Sequence, residues 1–375
     1  MVDVAFAKCA SYSEREVSKA VQNAFGKLGG LNRFVRKSQR VLLKVNLLDA
    51  KKPEEGVTTH PAVVKAVALE CKKLGARVFV GDSPAIASFE HAARTAGFEK
   101  ACKESGARLV GLSEPVELKT RNCFAARKLF VSKRLHDFDV IINLPKLKTH
   151  TLTGFTGAVK NLYGCIPKRI KGAYHLRFPE AEVFSKMLLD LHELVRPHIS
   201  LMDAVVGMQG NGPSAGGLRE LGFLAASENA FALDFAALKA IGFVPEKILT
   251  VSLAEKLGLI DYKEVVFLAE GFNFPVVNDF EPASAFEGFN KLRFLLKALR
   301  PFVESKPALL SRKCVSCGSC FKACPALAID FKTKVPKFDY NKCIRCFCCQ
   351  EVCPQKAIEV RQGFLLKAFR KLSKN

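Results

Sequence analysis

Short, unbroken apolar runs alternate along the first part of the chain with stretches whose apolar positions recur at helical spacing. VAFA (4–7), VLLKVNLL (41–48), ARVFVGD (76–82), ARLVGL (107–112), DVIINLP (139–145), ISLMDAVVG (199–207), LGFLAAS (221–227) and EVVFLAE (264–270) predict strands. Residues 13–28, 61–75, 89–106 and 229–242 predict helices; Pro61 suits a first helical turn and Gly75 a C-terminal end. Runs that are apolar throughout, rather than at every second position, belong to strands buried on both faces. The expected fold is α/β, a mostly parallel sheet covered by helices, with ligands held in loops beyond the strand C-termini.

This rhythm lapses over residues 271–311, where a loop-like stretch is followed by a short basic amphipathic helix, NKLRFLLKALRPF. The expected organisation is an α/β domain over 1–280, a linker over 281–311, a small cysteine-rich domain over 312–361 and a basic amphipathic tail over 362–375. No uncharged apolar run approaches the ~18 residues of a transmembrane segment, which leaves only peripheral membrane contact. The start, MVDVAFAKCA, lacks the basic and then apolar pattern of a secretory signal, so a cytoplasmic location is expected.

Nine of the 14 cysteines fall between Cys314 and Cys353. They form two runs, Cys314-x2-Cys317-x2-Cys320-x3-Cys324-Pro325 and Cys343-x2-Cys346-x2-Cys349-x3-Cys353-Pro354, an internal repeat. Disulfide frameworks scatter their pairs, and zinc fingers do not normally use two such runs. Residues 311–361 resemble a bacterial-type two-cluster ferredoxin, a small ferredoxin-like α+β domain, and the resemblance implies two [4Fe-4S] clusters and low-potential electron transfer. In that arrangement three close thiolates hold one cluster and the fourth ligates the other. Cys314, Cys317, Cys320 and Cys353 would hold the first; Cys343, Cys346, Cys349 and Cys324 the second. Cys348 is extra: either it is non-ligating or the register swaps. The scattered Cys9, Cys71, Cys102, Cys123 and Cys165 read as buried small hydrophobes.

Lys146 to Arg177 holds seven Lys or Arg and no acid. It interleaves these with His150, His175, threonines and glycines, which reads as an anion site rather than a solvated basic face. Lys44 and Asn46 lie in an apolar strand, where unpaired polar groups are costly. Thr58, Thr59 and His60 precede a helix; Asp82 and Ser83 follow a strand; Asp203 precedes the glycine-rich GMQGNGPSAGG. That loop has neither GxGxxG in strand–helix context nor GKS/GKT, so nucleotide binding has little support. His150, His175, His192 and His198 lack metalloprotease spacing and read as core or surface histidines.

KVNLL (44–48), TTHPAVVKAV (58–67), GDSP (81–84), NLPKLKTHTLTGFTGAVKNLYG (143–164), LMDAVVGMQGNGP (201–213) and SENAFALDFAAL (227–238) resemble, in order, the motif series of the domain of unknown function 362 family. The resemblance covers about residues 1–245 and implies an iron–sulfur protein, since such chains often end in a two-cluster module. It marks Lys44, Asn46, Pro145, Lys146, Lys148, His150, Thr156, Lys160, Asn161, Gly164, Asp203 and Asp234; His60 stands where an acid is common.

The formal charge of +22 suggests nucleic acid at first sight. No recognition signature accompanies it, and the charge divides. Residues 306–375 carry 15 Lys or Arg against four acids (+11), and Lys146 to Arg177 supply +7 of the remaining +11. Nucleic acid is therefore not an expected partner. The expected function is an oxidoreductase passing electrons from the clusters to a small anionic ligand. Lys44, Asn46, Lys146, Thr156, Lys160, Asn161 and Asp203 would form its binding site, with Lys148, His150 and His175 as the catalytic candidates. The alternative is a non-catalytic adaptor whose basic surface docks acidic redox proteins.

Overall fold

The computed structural model describes residues 1–269, 274, 276–284 and 304–363. The amphipathic helices expected at 291–302 and 364–374, and most of the expected linker, lie outside these residues.

The chain begins with β1 (Val2–Lys8), α1 (Glu14–Lys27), β2 (Arg40–Val45), α2 (Pro61–Lys73) and β3 (Arg77–Asp82). There follow α3 (Phe89–Thr95), α4 (Phe98–Ser105), β4 (Arg108–Gly111), the hairpin β5 (Pro115–Lys119) and β6 (Lys128–Ser132), and β7 (Val140–Leu144). The motif-rich stretch forms β8 (Lys146–His150), β9 (Gly154–Thr156), α5 (Ala158–Asn161), α6 (Lys168–Arg177) and α7 (Ala181–Val195). Next come β10 (Ile199–Gln209), β11 (Gly217–Ser227), α8 (Ala230–Ala240), α9 (Leu249–Lys256) and β12 (Val265–Leu268). Helix starts are capped as their sequences ask: Ser13 accepts from Glu16 N, His60 Nδ1 from Ala62 N ahead of Pro61, and Asn229 from Phe231 N and Ala232 N.

The main sheet has the order β12-β1-β11-β10-β7-β2-β3-β4. Every pairing along this path is parallel except those of β11 with β1 and β10. The fold is thus α/β and mostly parallel. Successive residues of β2 and β7 go to opposite cores: Val41, Leu43, Ile142 and Leu144 to one, Leu42 and Ile141 to the other. This is why those strands are apolar throughout. Burial of so many side chains at about 25 cal/mol per Å² supplies most of the gross stabilisation.

Two points depart from the sequence reading. Residues 146–150 are a fully buried strand, not a loop. Pro145 separates them from β7, and β10 pairs first with β7 and then with β8, because proline cannot donate to the ladder. The hairpin β5–β6 was not anticipated; the buried Asp190 carboxylate anchors its connection by accepting from Phe124 N, Ala125 N and Ala126 N.

Two buried ion pairs tie neighbouring strands of the sheet to each other. Lys44 Nζ lies 3.0 Å from Asp82 across β2–β3, and Lys146 Nζ 2.9 Å from Asp203 across β8–β10. Tyr12 closes the second pair, donating to Asp203 and accepting from Lys146. Its ring stacks on His60, whose backbone N–H also serves Asp203. Removing one partner strands a buried charge, so Asp203→Ala should lose about 3–5 kcal/mol in denaturant unfolding, and Lys146→Met/Asp203→Leu should recover most of it. Equal stability of Asp203→Ala and the parent would refute this role for the pair.

The C-terminal module follows as β13 (Lys306–Leu309), α10 (Ser319–Ala323), β14 (Ile329–Asp330), β15 (Lys337–Phe338), α11 (Cys348–Glu351) and β16 (Ile358–Arg361). β13 pairs with β16 and β14 with β15, all antiparallel. The 29-position offset between the cysteine runs (343 minus 314) recurs in the backbone. Left-handed residues Ser316, Gly318 and Leu327 are matched by Arg345, Phe347 and Lys356.

Candidate functional site

The repeat bends its cysteines around two small hollows. One is walled by Cys314, Cys317, Cys320 and Cys353, the other by Cys324, Cys343, Cys346 and Cys349. In each set three thiols come from one run and the fourth from the other. The tight turns aim amides at sulfur: Ala328 N donates to Cys324 Sγ and Ala357 N to Cys353 Sγ, both at 3.2 Å. Among the described residues no three ligating side chains converge as around a single ion; the thiols ring hollows instead. A soft, four-thiolate lining with amide support fits an iron–sulfur cluster. Cys348 lines neither hollow.

Helix α11 of this module docks against the end of β8. Gln350 is buried, accepting from Thr151 Oγ1 (3.0 Å) and donating to Asn211 O (2.9 Å), while Ser214 Oγ donates to Glu351 O. His150 Nδ1 accepts from Leu152 N and Thr153 N, which puts the ring proton on Nε2, 3.2 Å from Glu351 Oε1. Burial and nearby Lys160 push the imidazole down to about 4, so His150 is neutral at pH 7. Burial opposes ionisation of Glu351, but His150 and Lys160 outweigh it and keep the carboxylate charged.

Between module and sheet lies a cavity of about 370 Å³. The α/β side contributes Asn46, Asp82, Lys148, Thr156, Lys160, Asn161, Lys171 and His175; the module contributes Lys322, Cys324, Pro325, Cys348 and Glu351. Cys324 and Pro325 also wall the second hollow, so one layer of side chains separates the two spaces.

Each wall group is placed by local sequence. Asp234 of α8 accepts from Ala158 N and Val159 N and so fixes the start of α5, which carries Lys160 and Asn161. Gly157 lets that carboxylate approach, because a Cβ there would overlap it. Asn143 donates to Ala158 O and Ser200 Oγ, so its oxygen is free to accept from Asn161 Nδ2. Asn161 also donates to Lys44 O. Its Oδ1 has no hydrogen-bond partner among the described residues, nor do Asn46 Oδ1 and Thr156 Oγ1 in the same wall. On α6, Lys168, Lys171 and His175 share one face at three- and four-residue spacing. His175 stacks on Phe184, and burial lowers it to about 4.

The amines of this wall outnumber its acids. Lys148 donates to Val57 O and, among the described residues, meets no carboxylate; burial, then Lys160, lowers it to about 7. Burial lowers Lys171 to about 8 against the pull of Asp82, and lowers Lys160 against that of Glu351. Such a wall attracts an anion, and its unpartnered Asn oxygens accept from a donor on the same ligand.

The structure therefore gathers Asn46, Lys148, Thr156, Lys160, Asn161 and His175 of the anticipated set, and leaves four elsewhere. Lys44, Lys146 and Asp203 do not line the cavity; their charges are spent in the buried pairs described above. His150 sits behind Glu351 rather than in the wall. Lys168, Lys171, Cys348 and Glu351 were not singled out as cavity groups; the helical spacing of 168, 171 and 175 was the available signal for the lysines. His192 pairs with Glu193 and His198 accepts from Ile141 N, so the histidines do not converge. Of the scattered cysteines Cys123 is exposed, a correction, and the other four are buried.

Gly164 lines the cavity with the Lys44–Asp82 pair against its Cα; a Cβ would overlap both side chains. Gly164→Ala should cost about 1–3 kcal/mol in denaturant unfolding, and unchanged stability would show that the pair yields freely.

The profile of the family described as Domain of unknown function (DUF362) matches residues 41–239, and that of a 4Fe-4S dicluster domain matches 306–354. A thylakoid-associated protein of Synechocystis is 35% identical over 257 residues, 68% of this chain and 79% of the relative. Among solved structures, a Thermotoga maritima protein aligns at 14% identity and a TM-score of 0.35, over 52% of this chain and 51% of the other. The lactate racemase apoprotein of Thermoanaerobacterium thermosaccharolyticum aligns at 13% and 0.41, over 61% and 54%. The chain spans about half the length of each of these two structures. No helix among the described residues is long and apolar enough to cross a membrane.

Proposed function

The chain belongs to the family described as domain of unknown function 362 and is an iron–sulfur protein; from that premise we propose that it is an oxidoreductase acting on a small anion held between its two parts. The observation that carries this reading is the shared wall: the lysine-rich cavity abuts Cys324, which also belongs to the second ring of thiols. An adaptor that only relayed electrons would need no such cavity.

In this reading Cys314, Cys317, Cys320 and Cys353 hold one [4Fe-4S] cluster, and Cys343, Cys346, Cys349 and Cys324 a second. When bound, the clusters supply one-electron transfer at low potential. The chain's own residues do the rest. Lys148, Lys160 and Lys171 bind the anion; Asn46 and Asn161 accept from its hydroxyl or N–H donor and so orient it. Lys148, at about 7, is matched to giving a proton at Nζ near neutral pH. His175, neutral there, holds a lone pair for one. His150 acts through Glu351, fixing the carboxylate at the cavity edge. Docking of the module excludes bulk water from one side. A reducing compartment such as the cytoplasm suits this chemistry, and the α/β part (1–280) and cluster part (312–361) act as two domains.

Two measurements test the reading. Anaerobic reconstitution should give about eight iron atoms per chain. Cys353→Ser should then alter the same electron paramagnetic resonance signal as Cys320→Ser, and Cys324→Ser the same as Cys346→Ser; pairing within each run instead would refute the crossed ligation. Second, inorganic phosphate or malate should stabilise the holoprotein, with Lys160→Ala binding about ten-fold more weakly. Amines bind anions while protonated, so affinity should be highest below pH 7 and fall through pH 7–8 as Lys148 (about 7) and Lys171 (about 8) lose their protons. Binding that ignores both Lys160 and this pH window would overturn the site.

A further inference from the structure

The two halves of the cysteine module are alike in backbone and opposite in surroundings. Adding 29 to Phe321 gives Gln350, which is buried and bonded to Thr151 and Asn211 of the α/β part. Phe321 itself is 44% exposed, stacked only on Phe331 of its own half. Among the described residues, the α11 half is thus covered by the sheet domain, and the face of the other half around Phe321 is bare.

The bare half surrounds the first ring of thiols. Cys317 is exposed, and Val315 and Phe331 wall that hollow. Val315 is 60% exposed and Val335 42%. The segments that supply this wall carry exposed Arg312, Lys313, Lys332 and Lys334, with Asp330 the lone acid between residues 311 and 337. An apolar centre with a rim of mostly one charge, over a redox-ligand set that reaches the surface at Cys317, is the form of a transient electron-transfer interface.

We propose that this face docks a small acidic one-electron donor protein, so that electrons enter on the Cys314 side and leave toward the cavity on the Cys324 side. The exit half of this statement rests on the cavity reading above; the docking half does not. In each encounter the donor is oxidised by one electron and the module reduced by one; no bond is made or broken and no proton moves. Charge complementarity selects the occupant: the rim repels a basic partner and draws an acidic one at a rate that salt suppresses. A second copy of this chain, itself basic here, is disfavoured.

The test uses the cluster-reconstituted full chain without any cavity ligand and a photoreduced acidic [2Fe-2S] ferredoxin as donor. Reduction is followed by stopped-flow bleaching of the cluster absorbance. Arg312→Glu/Lys332→Glu/Lys334→Glu should slow the second-order rate at low salt about ten-fold or more. Lys19→Glu/Lys103→Glu/Lys119→Glu, equal in net charge but on exposed sites of the α/β part, should change it less than about two-fold. Reduction by dithionite should be the same in all three, and high salt should erase the difference. Iron content checks folding; should the triple variant fail to take up iron, Lys332→Ala and Lys334→Ala singly replace it. Equal slowing by both triple variants, a salt-independent parental rate, or no transfer from the acidic donor would overturn the proposal. The Arg312→Glu/Lys332→Glu/Lys334→Glu variant, whose substituted residues do not line the cavity, should bind phosphate as the parent does, so a failed cavity reading and a failed docking face give different results.

Discussion

A buried ammonium must be paired or must shed its proton, and this requirement organises the molecule. The stretch from Lys146 to Arg177 carries seven cations and no acid, and much of it is folded inside. Its compensation has to come from other segments. Asp203 meets Lys146 from β10, Asp82 meets Lys44 beside the same stretch, and Glu351 arrives from the cysteine module. Once these acids are assigned, no carboxylate among the described residues lies within ion-pair distance of Lys148, Lys160 or Lys171 in the cavity wall, although Glu351 and Asp82 still pull on Lys160 and Lys171. Breaking a buried pair costs several kcal/mol. The assigned acids are therefore not available to the surplus amines, and the surplus is a fixed property of the fold.

The same requirement explains why the module sits where it does. Glu351 brings negative charge to a seam bordered by His150, Lys160 and His175, and Gln350 satisfies both Thr151 and the Asn211 carbonyl. A buried glutamine that makes both kinds of bond is a specific key: a shifted module would leave its amide unsatisfied at about 1–3 kcal/mol. Placing α11 also places Cys324 at the cavity, because the short module holds all its turns within a few residues of the thiols. Polar satisfaction at the seam thus also sets where the second ring of thiols sits relative to the cavity.

Much of this was legible in the chain. Unbroken apolar runs gave away the doubly covered sheet, and the duplicated cysteine spacing gave away both thiol rings, since each depends on local order along the sequence. The cavity positions Asn46, Lys148, Thr156, Lys160, Asn161 and His175 were all among the anticipated site residues. What the chain alone does not encode locally is who pairs with whom. Lys44 and Lys146 read like Lys148, an amine in an apolar run, and only register across β2–β3 and β8–β10 separates the paired from the unpaired. The charges of β8 mimic a polar loop; a strand so rich in cations is stable inside only when distant carboxylates close on it. The partners Tyr12 and Glu351 lie 134 and 201 positions from Lys146 and His150 (146 minus 12, 351 minus 150), beyond any periodicity.

The surplus amines bear on electrons as well as on ligands. On the reading proposed here, an anion in the cavity and an electron added at the Cys324 side are both negative charges, one side-chain layer apart. Without compensation each would repel the other, by several kcal/mol at low effective dielectric. Lys148, Lys160 and Lys171 lie beside both, so they lower the cost of holding the two together, which is the state from which reduction proceeds. Linkage makes the effect reciprocal: whatever the amines change in the difference between anion affinity of the reduced and oxidised protein, they change equally in the difference between reduction of the bound and free protein. A wall of paired lysines would be electrically silent and could do neither, so pairing Lys146 and Lys44 while leaving the other three unpaired matters more to function than the size of the positive charge.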